Sequence, residues 1–250
     1  MPVIANAHPK GGVGKTTTSV NLIGEMESDA VDLDTHTGLS IILGLRPDGK
    51  PISVKVPNTV DELIEIMTPY KNSDKTLFID CGGFDSDLTR TAVAFADCVI
   101  VPSKDSLTER IGLMHFDGVL EEISTIMGTN ITAHLYLCKV NPNKKNFPKL
   151  EAILPSFKHL KLMNSRISAR AEFEEVIENG MGVTETLHGR TTSGGKEIMA
   201  LVDEIFSANR LGTEFIHLKP RFSVQRNLSL FRSAYLAKDY TSARNFYCCA

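Results

Sequence analysis

The sequence predicts an α/β protein with a doubly wound, mainly parallel sheet flanked by helices. Short apolar runs alternate with longer segments in which apolar residues recur at helical spacing, and this alternation is typical of parallel sheets with crossover helices. The chain has 250 residues, of which 42% are hydrophobic, so it can form one large domain with a sizeable core.

Fourteen elements follow from this pattern. Strands are predicted at residues 2–7, 30–33, 52–56, 76–80, 98–102, 131–138 and 160–163. Helices are predicted at residues 15–27, 59–67, 86–96, 106–127, 146–154, 168–179 and 194–208. We therefore predict an α/β domain over residues 1–210.

The composition of the chain changes from about residue 211. The segment 211–250 has six Lys or Arg, two Asp or Glu and seven of the 17 aromatic residues. Strand–helix alternation does not continue there. We predict a basic C-terminal appendage that either packs on the body or is partly disordered.

Composition excludes several classes of protein. The formal net charge of −3 argues against a protein that coats nucleic acid by bulk charge. None of the five cysteines belongs to a CxxC pair, so neither a disulfide framework nor a zinc ribbon is expected. No apolar run reaches the roughly 18 residues of a membrane span, and the start is too polar for a secretory signal. These features predict a cytoplasmic location.

The most informative segment is PKGGVGKTT, residues 9–17, between the first strand and the first helix. Its glycines let the backbone curl so that successive N–H groups point at a polyphosphate, and the positive end of the helix adds to that field. Lys15 can reach the β- and γ-phosphates, and the Thr16 hydroxyl can ligate Mg²⁺. The predicted nucleotide-binding residues here are Lys10, Gly11, Gly12, Val13, Gly14, Lys15, Thr16 and Thr17.

The segment departs from the usual P-loop pattern, because Pro9 stands where the first glycine belongs, but Lys10 fits a deviant form with a second lysine. The stretch 10–22, KGGVGKTTTSVNL, resembles the ParA/MinD family of deviant Walker ATPases, and within it the small ParA-type partition ATPases. Asp32-Leu33-Asp34, residues 77–101 and residues 165–185 resemble later blocks of that family. The resemblance covers about residues 2–208.

The resemblance implies roles for individual residues. Lys10 would be the signature lysine, which reaches the partner's phosphates across an ATP-sandwich dimer. Asp34 would orient the attacking water or hold the outer shell of Mg²⁺, and Asp80 would hold Mg²⁺ through water. The implied catalytic residues are Lys10, Lys15 and Asp34. Asp32 is interpreted as an ordinary residue of the turn after the strand.

Three other residues are open to two interpretations. Asn141 could bind the adenine edge of ATP, or it could form a turn with Pro142. Asn21 is expected to be an exposed residue of the first helix. Cys81 resembles a cluster ligand of the related nitrogenase iron protein, but no second cysteine lies in a comparable loop, so we expect a buried or switch-loop thiol.

Charge is unevenly distributed along the chain. Residues 139–170 carry eight basic side chains against one acidic side chain, Glu151. This segment is either a solvated face or a surface for DNA phosphates. The candidate DNA-binding residues are Lys144, Lys145, Lys149, Arg190, Lys196 and Arg210.

The implied function is that of a DNA-partition ATPase. It would form a homodimer with ATP and Mg²⁺, bind DNA non-specifically on the nucleoid, and hydrolyse ATP slowly until a centromere-binding adaptor protein stimulates it. Two alternatives remain: a MinD-like membrane-associated positioning ATPase, or a related ATPase accessory to conjugation or transport. The membrane alternative depends on a basic amphipathic helix around Leu228, Phe231 and Tyr235.

Overall fold

A parallel sheet of seven strands forms the centre of the protein. The structure is a computed structural model that describes residues 2–47, 49–83 and 85–216, without the side chains of Asn72 and residues 209–216. The strands are β1 (Val3–Asn6), β2 (Asp29–Asp32), β3 (Val54–Lys55), β4 (Leu77–Asp80), β5 (Cys98–Ser103), β6 (Ala133–Val140) and β7 (Leu160–Ser168). Their order is β3-β2-β4-β1-β5-β6-β7, and every neighbouring pair is parallel. The predicted fold class is therefore confirmed.

Helices cover both faces of this sheet. The α-helices are α1 (Lys15–Met26), α2 (Gly38–Leu43), α3 (Val60–Met67), α4 (Asp87–Phe95), α5 (Leu107–Met127), α6 (Pro148–Glu151), α7 (Ala171–Ile177) and α8 (Ser193–Ile216). Helices α3, α4 and α5 are capped at their N-termini by Thr59, Ser86 and Ser106, whose side chains accept a hydrogen bond from the amide three residues later.

Two predicted helices differ from the structure, and one helix was missed. The helix expected over 146–154 is only the single turn α6, because Pro155 disfavours helical geometry in the residue before it and a 3₁₀ turn follows. Strand β7 continues to Ser168, so α7 starts at Ala171 rather than near 168. Helix α2 is short and its run IIL has no helical periodicity, which is why the sequence did not predict it.

Alternating residues of the strands divide the core into two layers. In β1, Val3 and Ala5 pack with Leu113 and Leu120 of α5, whereas Ile4 packs on the opposite face with residues of α1 and α8. Because both faces are covered, the central strands are apolar on both sides.

Strand order decides which loops meet. Strand β1 lies between β4 and β5, with Asn6 opposite Asp80 and opposite Ile100. The carboxyl ends of these strands therefore lie side by side at one edge of the sheet, where ligands of open α/β sheets bind.

The predicted C-terminal appendage lies mostly outside the described residues. Helix α8 continues to Ile216 and so crosses the predicted boundary at residue 210. The residues proposed for an amphipathic helix, including Leu228, Phe231, Tyr235 and Leu236, are not among those described. In the described part of the chain, none of the helices combines the length and apolarity that crossing a bilayer requires.

Candidate nucleotide-binding site

The loop between β1 and α1 has the curled backbone that its glycines predict. Gly12 and Gly14 have φ values of +76° and +99°, which side-chain-bearing residues rarely adopt. A Cβ atom on Gly14 would also lie 2.8 Å from the Sγ atom of Cys138. Backbone conformation and packing against β6 therefore both require glycine at position 14.

Four successive amides of this loop are available to a ligand. Within the ranges that the structure describes, the N–H groups of residues 11–14 (Gly11, Gly12, Val13 and Gly14) donate no hydrogen bond to the protein. Buried backbone N–H groups in folded proteins nearly always have a partner, and Val13 and Gly14 are buried. Consecutive free amides in front of a helix are a site for an anion such as a polyphosphate.

Lys15 is buried within the loop. Its side chain extends back along the loop, where Nζ donates to the carbonyl oxygen of Lys10 at 2.9 Å. Burial lowers the pKa of Lys15, whereas the carboxylates of Asp80 and Asp34 act in the opposite direction. The Lys15 ammonium is therefore held beside the free amides, on the loop that a phosphate would contact.

Asp80 lies at the end of β4 and contacts the first turns of α1. Its Oδ2 atom accepts a hydrogen bond from Thr16 Oγ1 at 3.0 Å, and Oδ1 accepts one from Ser19 Oγ at 2.8 Å. Burial raises the pKa of Asp80 to about 7, and the two hydroxyl donors and Lys15 oppose that rise. A hydroxyl and a carboxylate at this separation are oxygen donors of the kind that Mg²⁺ uses beside phosphates.

Asp32 and Asp34 have different environments. Asp32 is fully buried, and its carboxylate accepts hydrogen bonds from the Asp34 amide and from the amide and hydroxyl of Ser40. The bond to the Asp34 amide is the turn geometry expected of Asp32, and the bonds to Ser40 join this turn to α2. Asp34 is half-buried and accepts a hydrogen bond from the amide of His36 at 3.0 Å.

Lys10 lies at the rim of the loop against the start of α5. Its Nζ atom donates to the carbonyl oxygen of Thr108 at 3.4 Å and lies 3.9 Å from Glu109 Oε1. Burial lowers the pKa of the neighbouring His8 to about 4, so the imidazole 3.3 Å from Glu109 is neutral near neutral pH. Glu109 was not predicted, because only the pairing of β1 with β5 brings α5 to Lys10. His8 lies two residues before Lys10 but belongs to no motif that the sequence singled out.

A cavity of about 320 Å³ opens beside the loop. It is lined on one side by Thr17 and Thr18 of α1, on another by Cys138 and Lys139 of β6, and beyond them by Phe173 of α7. Its position next to the free amides and its partly apolar walls make it a candidate space for a nucleotide base.

Asn141 is not among the residues that line this cavity. Its side chain is exposed, and Oδ1 accepts a hydrogen bond from the amide of Asn143 at 2.9 Å. This is the turn geometry that the sequence left open as the alternative. Adenine binding by Asn141 stays a prediction.

Asn21 was wrongly predicted to be exposed. It is fully buried, its Nδ2 donates to the carbonyl oxygen of Thr17, and its Oδ1 accepts from the amide of Val183 at 2.7 Å. The error arose because α7, α8 and the segment around Val183 cover α1, and local sequence gives no sign of that covering. Asn21 thus joins α1 to the block of residues 165–185.

The cysteine prediction is confirmed for the described thiols. Cys81, Cys98 and Cys138 are buried and free, and burial raises the pKa of each. Among the residues that the structure describes, no group of three His, Cys, Asp or Glu side chains is placed to hold a metal ion.

The basic segment 139–170 is less positive in three dimensions than in sequence. Four of its eight basic side chains contact acids: Lys139 with Glu174, Lys144 with Asp105, Lys158 with Glu121 and Arg170 with Glu197. A fifth, Arg166, donates to the carbonyl oxygen of Lys144. The folded segment therefore presents far less net charge than its sequence suggests.

The candidate DNA-binding residues fall into three groups. Lys145, Lys149 and Lys196 are exposed and, in the described residues, have no acidic partner. Lys144 pairs with Asp105 and Arg190 pairs with Glu25. The side chain of Arg210 lies outside the described ones.

The fold and this site define a P-loop nucleotide-binding protein of the parallel α/β type. The family model for the CobQ/CobB/MinD/ParA nucleotide-binding domain matches residues 4–230. The chain belongs to this family, as the resemblance of its P-loop predicted.

Individual relatives agree with that assignment. Protein ParA of Rhizobium radiobacter is 26% identical over 132 residues, which span 50% of this chain and 60% of that protein. The MinD cell division protein of Aquifex aeolicus superposes with a TM-score of 0.62 at 15% identity, over 83% of this chain and 98% of MinD. The ATP complex of McdA from Cyanothece superposes with a TM-score of 0.61 at 12% identity, over 89% and 99% of the two chains.

Two glycines of the loop provide a matched test of its conformation. We expect Gly14→Ala to lower the free energy of unfolding by roughly 2 kcal/mol, because alanine would be strained at this φ and would collide with Cys138. A Cβ on Gly11 would meet nothing within 4 Å, so Gly11→Ala should change the free energy of unfolding by less than about 0.5 kcal/mol. Urea denaturation of both variants without nucleotide checks this; equal losses would contradict the loop geometry.

The raised pKa of Asp80 predicts how stability depends on pH. Because the neutral acid is favoured in the folded state, Asp80 contributes less stability as the pH rises from about 4 through about 7. Asp80→Asn removes this dependence, so between pH 5 and pH 8 the variant should gain roughly 2 kcal/mol relative to wild type. Denaturation without nucleotide or Mg²⁺ measures it, with the exposed Asp203→Asn as control. A constant difference across this range would disprove the prediction.

Proposed function

We propose that the protein binds and hydrolyses ATP at the β1–α1 loop. The observation that carries this proposal is the run of free amides at residues 11–14 beside the buried ammonium of Lys15. Membership of the family and the ATP complex of McdA support ATP as the nucleotide.

The residues of the site suit phosphoryl transfer to water. The free amides bind phosphate oxygens, and Lys15 neutralises charge on the β- and γ-phosphates. Asp34, held by the buried Asp32, orients the attacking water. Water attacks the γ-phosphorus, and the bond to the bridging oxygen breaks to give ADP and inorganic phosphate. The Thr16 hydroxyl would hold Mg²⁺ directly and Asp80 would hold it through water, so that the metal offsets phosphate charge.

Hydrolysis requires a homodimer in this proposal. Lys10 is 42% exposed and makes its contacts with α5 rather than within its own loop. It can therefore leave Thr108 and Glu109 at little cost and reach the phosphates of a second subunit. Two chains would face each other across two ATP molecules, each supplying Lys10 to its partner.

The dimer would serve DNA partition. In this proposal, exposed lysines such as Lys145 and Lys149 bind DNA phosphates without reading sequence, and the protein resides on the nucleoid. A centromere-binding adaptor protein supplies specific recognition and stimulates slow hydrolysis, which releases the DNA. The relative named ParA supports this choice over membrane positioning or a role in conjugation or transport.

The two lysines of the loop should separate binding from dimerisation. Lys15→Ala should abolish binding of ATP and ADP, because the ammonium beside the amides is lost. Lys10→Ala should bind both nucleotides like wild type but fail to dimerise with ATP and hydrolyse at least tenfold more slowly. Calorimetric titration and light scattering measure these effects, with Lys161→Ala as an exposed control. A Lys10 variant that dimerises and hydrolyses normally would rule out the proposed role.

DNA binding should depend on the nucleotide. We expect ATP or a slowly hydrolysed analogue, but not ADP, to retard DNA of unrelated sequences in a mobility shift, with affinity falling as salt rises. Replacing Lys145 and Lys149 by alanine should weaken the shift several-fold, whereas replacing the exposed Lys55 and Lys75 should not.

A DNA mobility shift that is independent of nucleotide would rule out control of DNA binding by ATP. Sedimentation with anionic liposomes and ATP, with and without residues 217–250, tests the membrane alternative. Binding to liposomes but not to DNA would favour that alternative.

A further inference from the structure

Lys104 lies next to the phosphate loop although it is far from the loop in sequence. It follows β5 directly, and β5 pairs with β1 in parallel, so the residues after these two strands emerge side by side. The Nζ atom of Lys104 donates to the carbonyl oxygen of Gly12 at 2.6 Å. No motif of the sequence contains this residue.

The backbone of Lys104 is fixed where its side chain begins. Its carbonyl oxygen accepts hydrogen bonds from the amide of Ser106 at 3.0 Å and from the hydroxyl of Ser103 at 3.1 Å. Ser103 is fully buried and belongs to β5. The side chain therefore extends to Gly12 from a rigid base.

The contact determines the orientation of one peptide group. A peptide unit is planar and trans, so the C=O of Gly12 and the N–H of Val13 point in opposite directions. Gly12 has a φ of +76°, and a glycine allows such a peptide unit to rotate more easily than any other residue. With its carbonyl bound to Lys104, the unit presents the Val13 amide on the side away from that ammonium.

We propose that Lys104 is a positioning residue that holds the phosphate loop in its binding conformation before nucleotide arrives. Lys15 binds the carbonyl of Lys10 and Lys104 binds that of Gly12, so two cations hold carbonyls of the loop while its amides remain free. This inference rests on the proposed nucleotide binding. Lys104 acts on the loop backbone and therefore on every phosphate-bearing nucleotide that the loop binds.

The test compares ADP with the ATP analogue AMPPNP in calorimetric titrations of the full chain. Lys104→Met should weaken the binding of both by about tenfold and by the same factor, because the loop loses its anchor. Lys104→Arg, which keeps a donor at this position, should restore affinity to within about threefold of wild type. Lys161→Met, an exposed lysine of β7, is the matched control and should bind both like wild type.

Other results would overturn either this inference or the proposed function. Unchanged affinity in Lys104→Met, or a loss confined to AMPPNP, overturns the inference, the latter because it indicates direct contact with the third phosphate. A lower melting temperature of the nucleotide-free Lys104→Met and Lys104→Arg proteins, with no rescue by arginine, also overturns it. If the wild-type chain binds neither nucleotide, the proposed function itself fails.

Discussion

The position of β1 between β4 and β5 is the constraint on which the whole site depends. Parallel pairing places the ends of these strands together, so the P-loop after β1 meets Asp80 at the end of β4 and Lys104 after β5. Each contact joins residues more than 60 positions apart, and none would form in an isolated segment. The loop geometry is therefore a product of the sheet rather than of the glycines alone.

The electrostatics of the site favour the binding of a polyphosphate anion together with a metal cation. Asp80 is buried with a pKa raised to about 7, and Lys15 is buried with a lowered pKa, so burial penalises the charged forms of both groups. A polyphosphate would stabilise the ammonium, and Mg²⁺ would stabilise the carboxylate. Ligands of these charges would therefore offset the unfavourable burial of both groups.

Local signals in the sequence predicted the parts of the site that depend on the backbone. The glycines, Lys15 and the strand–helix context identified the loop, and apolar runs identified all seven strands. Contacts across the sheet could not be predicted. The burial of Asn21, the bonds of Asp32 to Ser40 and the contact of Lys10 with α5 all follow from which elements are neighbours in space.

The distribution of charge also could not be predicted from the sequence, because it depends on which elements are neighbours in space. Segment 139–170 appeared strongly basic in sequence, yet four of its eight basic side chains pair with acids from outside the segment, and a fifth donates to a carbonyl within it. Lys145, Lys149 and Lys161 remain exposed without such partners among the described residues. A dimer would double the number of these lysines, and because phosphate contacts add along a DNA backbone, two copies would bind far more tightly than one. For DNA binding to be controlled by ATP, a single chain must therefore carry only a weak positive charge. A strongly basic monomer would bind DNA in every nucleotide state.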